Sequence, residues 1–200
     1  MCGGDGSLFR GGDLMQSWGG LPNSPQQSLN AAWNDEILEQ WQQEVLPVGC
    51  GRSYGDVGLA ASGTVLNTSS MDRVISFNKE SGVVRCEAGV TLGQILALTV
   101  PHGWMMPVLP GTQYVTVAGA VANDVHGKNH HVTGTFCKHV TRISLLRSDG
   151  EIIECSESQR AEWFAASCGG LGLSGIILWV EVQLRPLQGP WLDSETIKFE

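Results

Sequence analysis

Two short polar turns, at residues 79–82 and 148–150, each lie between apolar runs of strand length. The first turn divides a strand–turn–strand pattern over residues 65–88, and the second divides a hairpin over residues 140–155. Strands joined directly by such turns run antiparallel, whereas a doubly wound parallel sheet needs a crossover helix between successive strands. The sequence therefore predicts a mixed α+β fold.

Helices and one long strand are predicted around these turns. The helices are expected over residues 29–45, 91–100, 116–122 and 159–167, and the strand over residues 175–184. Thr91 and Thr116 can cap the second and third helices, because a threonine hydroxyl accepts a hydrogen bond from an amide of the first turn. Pro101 ends the second helix and Pro186 closes the strand, since proline lacks the N–H that either element needs.

Composition excludes several classes of function. The chain has 12 Lys and Arg against 20 Asp and Glu, a net charge of −8, so it lacks the basic surface of a nucleic-acid-binding protein. The longest uncharged stretch, residues 88–123, contains three prolines, so no transmembrane segment is expected. No secretion signal is visible, and the six dispersed cysteines are expected to be reduced thiols of a cytoplasmic protein.

The first candidate site is a glycine-rich segment with the sequence GCGRSYGD, residues 49–56. Its three glycines allow a tight loop whose backbone N–H groups form a concave anion site, for which a pyrophosphate is the natural ligand. An ordinary glycine-rich turn explains the spacing equally well. The order of the glycines differs from the fingerprint of parallel dinucleotide-binding folds, so a Rossmann-type site is not expected.

Two further candidate sites follow along the chain. Residues 110–119 combine a loop with a helix of small residues, whose start at Thr116 would favour a phosphate, although small residues also serve tight helix–sheet packing. Residues 126–131 are rich in histidine and suggest the wall of a ligand site or ordinary surface histidines. Gly127 and Asn129 argue against a helix that would bring His126 and His130 together, so no metal site is predicted.

Together these segments resemble the FAD-binding domain of the vanillyl-alcohol oxidase and p-cresol methylhydroxylase (PCMH) family. The motifs are GRSYGD at 51–56, PVLPGT at 107–112, VTVAGAVANDVHGKNHH at 115–131, SDGEI at 148–152 and GGLGLSGII at 169–177. The likeness covers residues 45–186 and is greatest to members that oxidise decaprenylphosphoryl-ribose. It implies an FAD-binding domain of two α/β lobes over residues 29–190, after an N-terminal arm at 1–28. Residues 191–200 would begin a substrate domain that is otherwise absent from this chain.

The resemblance also implies which residues bind FAD. The pyrophosphate would contact Pro47, Val48, Gly49, Cys50, Gly51, Arg52, Ser53, Tyr54, Gly55, Asp56 and Val57, joined by Gly111, Thr112, Thr116, Val117, Ala118 and Gly119. His126, Gly127, Lys128 and Asn129 would approach the flavin ring, and Ile177 would line the adenine side or a nearby wall. Many relatives attach FAD covalently to a histidine of the first glycine loop. This loop has Arg52 and Ser53 instead, so non-covalent FAD is expected.

The implied reaction is the oxidation of a secondary alcohol of a decaprenylphosphoryl-ribose-like sugar, with hydride transfer to flavin N5. Tyr54 and His126 are the candidate catalytic residues beside the flavin, while the substrate base is expected from a later part of the chain. A reductase subunit is an expected partner, and contact with the inner membrane would be peripheral. Two alternatives stay open: an aldonolactone or alditol oxidase or dehydrogenase, and a flavin-binding module without activity of its own.

Overall fold

The computed structural model describes residues 18–19, 27–40, 44–60, 63–189 and 194–196. Within these ranges the strands are β1 (Gln27–Asn30), β2 (Val45–Val48), β3 (Thr64–Asn67), β4 (Val74–Asn78), β5 (Val83–Glu87), β6 (Trp104–Met105), β7 (Val140–Leu146), β8 (Ile152–Cys155), β9 (Ile176–Gln183) and β10 (Arg185–Pro186). The helices are α1 (Asn34–Gln40), α2 (Leu92–Thr99), α3 (Val117–Ala122), α4 (His130–Thr133) and α5 (Ala161–Ser167), with 3₁₀ turns at Val100–His102 and Phe136–His139.

The strands form two principal sheets of different type. A small parallel sheet has the order β1-β3-β2, and a five-stranded antiparallel sheet has the order β4-β5-β9-β7-β8. A third pair joins β6 to β10. Both predicted turns connect neighbouring antiparallel strands, β4 to β5 and β7 to β8. The prediction of a mixed α+β fold is therefore confirmed, while the division into two lobes and the domain limits remain predictions.

The main hydrophobic core lies between the large sheet and three helices. It contains Leu92 and Ile95 from α2, Val117 from α3 and Phe164 from α5, packed against strand residues such as Val180. β9 also serves a second, smaller core, because its alternate residues Ile176 and Leu178 face the side chains of the parallel sheet and α1. This shared strand fixes the parallel sheet, and the loop that leaves it, against the larger sheet.

Most of the predicted elements form, with one clear error. Thr91 caps α2 through a reciprocal bond with Gln94, and the helix start at Thr116 also forms as predicted. The helix expected over residues 29–45 is wrong at both ends, since α1 covers only Asn34–Gln40. The residues before it form β1, which hydrogen-bonds to β3 across more than thirty positions of sequence. That distant pairing keeps residues 27–30 extended, whereas Ile37 of the predicted helix does lie in α1.

The predicted N-terminal arm and C-terminal segment lie mostly outside the described residues. Of the arm, residues 18–19 are described, and β1 begins at Gln27, so the limit proposed after residue 28 falls within a strand. Of residues 191–200, only 194–196 are described, without regular secondary structure. The start of a substrate domain there remains a prediction.

The cysteines require a second correction. Cys50 is disulfide-bonded, so the prediction of six reduced thiols is wrong. Cys86, Cys137, Cys155 and Cys168 are free thiols. Disulfides are typical of oxidising compartments, and the cysteines therefore no longer favour a cytoplasmic location.

Candidate functional site

A cleft of about 540 Å³ opens where the parallel sheet, α3 and the loop before β9 meet. This volume falls within the range of about 300–1,000 Å³ that is usual for cofactor and small-molecule sites. The predicted residues that line it are Pro47, Val48, Gly49, Cys50, Gly51, Arg52, Ser53, Tyr54, Val57, Gly111, Thr112, Thr116, Ala118, Gly119, His126 and Ile177. Segments far apart in the chain thus converge on one cavity.

One wall of the cleft is the glycine loop, defined as residues 49–56, which leaves the carboxyl end of β2. Thr68 holds that strand end, because its backbone N–H and its hydroxyl both donate to the Val48 carbonyl oxygen, at 2.9 and 3.3 Å. The backbone amides of residues 51–54 have no hydrogen-bond acceptor among the described residues. Gly51 adopts a positive φ of 60°, which only glycine takes without strain. Residues 51–54 therefore line the cleft and carry donors that no group in the described part of the chain accepts.

Gly49 fits the glycine loop closely against α3. A methyl group at this position would overlap the Thr116 side chain, with Cγ2 only 2.9 Å from the added carbon. Glycine is thus required here by close approach rather than by backbone conformation. Across the cleft, the Ser53 hydroxyl donates to the side-chain oxygen of Asn123 at 3.4 Å, so the loop also contacts the far end of α3.

The first turn of α3 uses its backbone amides inside the protein. Val117 and Ala118 donate to carbonyls that follow β5, at 2.7 and 3.2 Å. Gly119 donates to the Thr116 hydroxyl at 3.2 Å, which is the predicted capping bond. These three amides therefore have acceptors within the protein, while the expectation that the start of α3 favours a phosphate remains a prediction. Thr116, Ala118 and Gly119 border the cleft as small surfaces.

Arg52 places a positive charge in the cleft without a carboxylate partner among the described residues. Its guanidinium carbon lies 4.8 Å from the centre of the Trp18 ring and 5.7 Å from that of Tyr114, so two aromatic faces hold it. Its Nε is buried and has no hydrogen-bond partner in the part of the chain that the structure describes. Burying an unsatisfied donor costs free energy, so this atom favours a ligand that can accept its hydrogen.

Six predicted site residues do not line the cleft: Gly55, Asp56, Val117, Gly127, Lys128 and Asn129. Val117 is fully buried in the main core, and Lys128 is exposed to solvent. The Asn129 side-chain amide donates to the Pro107 carbonyl oxygen at 3.0 Å, while Gly127 lies against the backbone of Leu109. Contact of these six residues with the cofactor remains a prediction, and two of them shape the loop that carries His126.

The sequence model of the FAD binding domain family matches residues 31–156, which is well over half of the chain. The chain belongs to this FAD-binding family. It is 39% identical over 151 residues to the decaprenylphosphoryl-beta-D-ribose oxidase of Mycolicibacterium smegmatis, an alignment that covers 75% of this chain and 33% of the relative. It is 32% identical to the L-gulonolactone oxidase of Mus musculus, covering 75% and 34%. Human delta(24)-sterol reductase is 29% identical, covering 56% and 22%. The chain spans about a third of the length of the first two relatives.

The cleft of this FAD-binding domain fits its cofactor on two observations. The buried Nε of Arg52 lacks an acceptor, and a diphosphate or a flavin carbonyl would supply one. Residues 51–54 line the cleft, and their backbone amides have no acceptor among the described residues, so a diphosphate could accept from them. An acidic protein can accept such an anion because the donors are local, whereas the net charge of −8 acts over a longer distance and is screened by salt.

Sequence reasoning missed several residues of the FAD-binding cleft: Trp18, Gly58, Thr68, Ala122, Asn123, Val125, Leu171, Gly172 and Gly175. Gly172 illustrates the reason, because its φ of +81° and its contact with Pro47 depend on two segments meeting in space. The motif GGLGLSGII contained the signal for the last three residues. It supported the resemblance without being assigned to the site.

The described residues contain neither a cluster of metal ligands nor a helix that could cross a membrane. Within the described ranges, no group of three or more His, Cys, Asp or Glu side chains could hold a metal ion. His126 and His130 do approach each other, with ring centres 5.4 Å apart, but His130 uses its Nδ1 on the Gly127 carbonyl oxygen. None of the helices in the described part of the chain has the length and apolar character needed to cross a lipid bilayer.

Proposed function

We propose that this domain binds FAD non-covalently, with the diphosphate held by the backbone amides of the glycine loop. The observation that carries the proposal is that residues 51–54 line the cleft and that their backbone amides have no acceptor among the described residues. The backbone amides of such a loop can bind anions through partial charges that need no cationic side chain. Arg52 then adds one charge-assisted hydrogen bond from its buried Nε.

The cofactor is proposed to extend between the parallel sheet and the large sheet, as the two-lobe interpretation requires. His126 is exposed and lines the cleft at the end of the segment that follows α3, so it is proposed to border the flavin ring. Tyr54, whose side chain is 83% exposed, would border the same region from the glycine loop. Their role would be to position the substrate and shield the reacting atoms from water.

The proposed reaction of the whole protein is the oxidation of a secondary alcohol of a sugar. When bound, FAD would supply a hydride acceptor at N5. The similarity to the decaprenylphosphoryl-beta-D-ribose oxidase favours a lipid-linked sugar phosphate as the substrate class. The similarity to the L-gulonolactone oxidase favours a second candidate, the oxidation of an aldonolactone. Because the chain spans a third of these relatives, neither substrate is assigned to this part of the protein alone.

Cofactor binding is tested by titrating the protein with FAD and following the quenching of flavin fluorescence. Competition with ADP and with adenosine then isolates the diphosphate, because only ADP carries it. We expect saturable 1:1 binding, displaced by ADP at a concentration at least about ten-fold lower than by adenosine. Equal competition by the two compounds would show that the glycine loop does not hold the diphosphate.

The non-covalent mode has a direct test. After precipitation with acid, the flavin should appear entirely in the supernatant, because the glycine loop has Arg52 and Ser53 where a histidine would form the bond. Flavin that stays with the precipitated protein would overturn this part of the proposal and would direct attention to His126, the histidine that lines the cleft.

The substrate class requires the full-length protein with its cofactor. Anaerobic mixing with a polyprenylphosphoryl-pentose, an aldonolactone or an alditol should bleach the flavin absorbance with one class only. Bleaching by the lactone alone would replace the sugar-phosphate assignment with the second candidate. A protein that binds FAD and is bleached by none of them would support the flavin-binding module without activity of its own.

A further inference from the structure

Two free thiols lie together behind the wall of the cleft, outside the proposed FAD contacts. Cys137 belongs to the 3₁₀ turn Phe136–His139, and Cys168 directly follows α5. Both segments converge on one carbonyl group at the end of α3. The Cys137 sulfur lies 3.5 Å from the Val121 carbonyl oxygen, and the backbone N–H of Gly169 donates to that same oxygen at 3.0 Å. A carbonyl shared in this way brings residues 137 and 168 into adjacent positions.

The two thiols are not equivalent. Cys137 is buried, whereas Cys168 is partly exposed. The hydrogen of the Cys137 thiol has a second acceptor in the Cys168 sulfur; this hydrogen bond raises the pKa of Cys137 and lowers the pKa of Cys168. A more accessible sulfur with greater thiolate character beside a buried thiol is the arrangement found where a cysteine reacts with an oxidant and a second one resolves it.

We propose that Cys168 and Cys137 form a dithiol site that reacts with hydroperoxides and closes to a reversible disulfide. The Cys168 thiolate attacks the outer oxygen of ROOH, the O–O bond breaks, and the leaving alkoxide takes a proton to become ROH. The product is a sulfenic acid on Cys168. The Cys137 sulfur then attacks the Cys168 sulfur, the S–O bond breaks, and the hydroxyl leaves as water with the Cys137 proton. Two electrons pass from the sulfurs to the peroxide in total.

Closure of this disulfide would tie the turn Phe136–His139 to the end of α5. Both segments flank residues 121–126, since the Cys137 backbone N–H donates to the Asp124 carboxylate at 2.9 Å and Gly169 bonds to Val121. Residues 122, 123, 125 and 126 line the cleft. The site therefore couples the redox state of the surroundings to the rigidity of one cleft wall, without contacting the proposed ligand.

In the experiment, the full chain is exposed to a small excess of hydrogen peroxide, and the remaining thiols are then alkylated. The protein is digested and its peptides are mapped under non-reducing conditions. Trypsin places Cys137 on residues 129–138 and Cys168 on residues 161–198, while Cys86 and Cys155 fall on other peptides. We expect a linked pair of peptides 129–138 and 161–198 that disappears on reduction. Cys86 and Cys155 should stay alkylated in the same digest, which provides an internal control.

Two variants separate the roles of the sulfurs. In Cys137→Ser, the resolving thiol is missing, so peroxide should leave Cys168 as a sulfenic acid that dimedone labels. In Cys168→Ser, neither the link nor the label on residue 137 should appear. If one variant does not fold, the other variant and the peptide map of the wild-type protein still test the proposal. Alkylation of both cysteines to the same extent with and without peroxide would overturn the proposal, as would dimedone labelling of Cys137 rather than Cys168.

Thermal unfolding adds an independent readout. Because a cross-link restricts the unfolded chain, peroxide should raise the Tm of the wild-type protein by at least about 3 °C. Cys168→Ser, treated in the same way, should show no rise, and this comparison removes any effect of the Cys50 disulfide. A rise in Tm of equal size in both proteins would show that another reaction with peroxide causes it, and this would contradict a Cys137–Cys168 bond.

Discussion

The glycine loop and the first turn of α3 line the same cleft, and both are built largely from small residues. In the loop, the amides of residues 51–54 have no acceptor among the described residues. In α3, the three amides after Thr116 donate to protein oxygens, two of them to carbonyls that follow β5. The two segments therefore share a composition and differ in the use of their backbone donors.

This difference distinguishes two reasons for small residues beside a ligand. In α3, the amides of Val117 and Ala118 bond to the chain after β5, and the amide of Gly119 bonds to the Thr116 hydroxyl. In the glycine loop, Gly49 permits close approach to Thr116, and the amides of residues 51–54 have no acceptor among the described residues. We infer that the loop binds the diphosphate, while α3 acts as a rigid support that sets the position of the loop. Variants of the loop test diphosphate binding, and variants of Thr116 test the supporting role of α3.

The largest effect is expected for Gly49→Ala. The new methyl group overlaps the Thr116 side chain, and overpacking of this kind costs roughly 1–3 kcal/mol, which corresponds to a Kd for FAD that is about 5- to 150-fold higher. Thr116→Ala removes the atoms that collide, so the double variant should recover much of the loss relative to Gly49→Ala. Fluorescence titration with FAD measures both.

Gly189→Ala is the matched control for Gly49→Ala. Gly189 does not line the cleft, and an added methyl group there would meet no atom within 4 Å. Its Kd for FAD should stay close to that of the wild type. A loss as large as that of Gly49→Ala would mean that the contact with Thr116 is not the cause.

A smaller effect is expected at Arg52. Replacing it by Ala removes a cation held between Trp18 and Tyr114 and the buried Nε donor, for a loss of about 1.4 kcal/mol or ten-fold in Kd for FAD. Lys should not restore binding, because an ammonium group lacks the planar fork that stacks between two rings. Arg142→Ala, which removes an exposed pair with Glu154, is the control. A cofactor affinity that depended only on positive charge would be restored by Lys.

Thr116→Val tests the supporting role of α3. The variant keeps the shape of the side chain and loses the hydroxyl that accepts from Gly119, so the free energy of unfolding should fall by about 1 kcal/mol. The Kd for FAD should change by less than about three-fold, because the α3 amides are bonded within the protein. Thr116→Ser keeps the cap and should retain the stability. A ten-fold loss of affinity in the Val variant with intact stability would assign the diphosphate to α3 instead.

The sequence predicted features that depend on neighbouring residues and missed features that depend on contacts between distant parts of the chain. The turns at residues 79–82 and 148–150 and the caps at Thr91 and Thr116 follow from neighbouring residues, and all four form. The spacing of the glycines predicts a tight loop at residues 49–56, and the family resemblance, not the spacing, favours a cofactor site over an ordinary turn. β1 was missed because its partner is β3, and the engagement of the α3 amides was missed because their acceptors follow β5. An amino-acid sequence does not show which backbone N–H groups are hydrogen-bonded within the fold.

The smallest effect is expected in the large sheet, away from both regions. Burial raises the pKa of the Glu181 carboxyl, but hydrogen bonds from Thr141 and Arg85 outweigh it and lower the pKa below the usual value of 4.5. A carboxylate with a lowered pKa stabilises the fold above pH 4.5, and this contribution is lost as the pH falls through its folded-state pKa. Glu181→Gln should therefore lose less than about 1 kcal/mol near neutral pH after solvent screening, and the difference from the wild type should shrink below pH 4.5. Chemical denaturation at several pH values measures this. Because Glu181 contacts neither the glycine loop nor α3, the Kd for FAD near pH 7 should be unchanged, and a change would show that the cleft depends on the sheet beyond the two regions compared here.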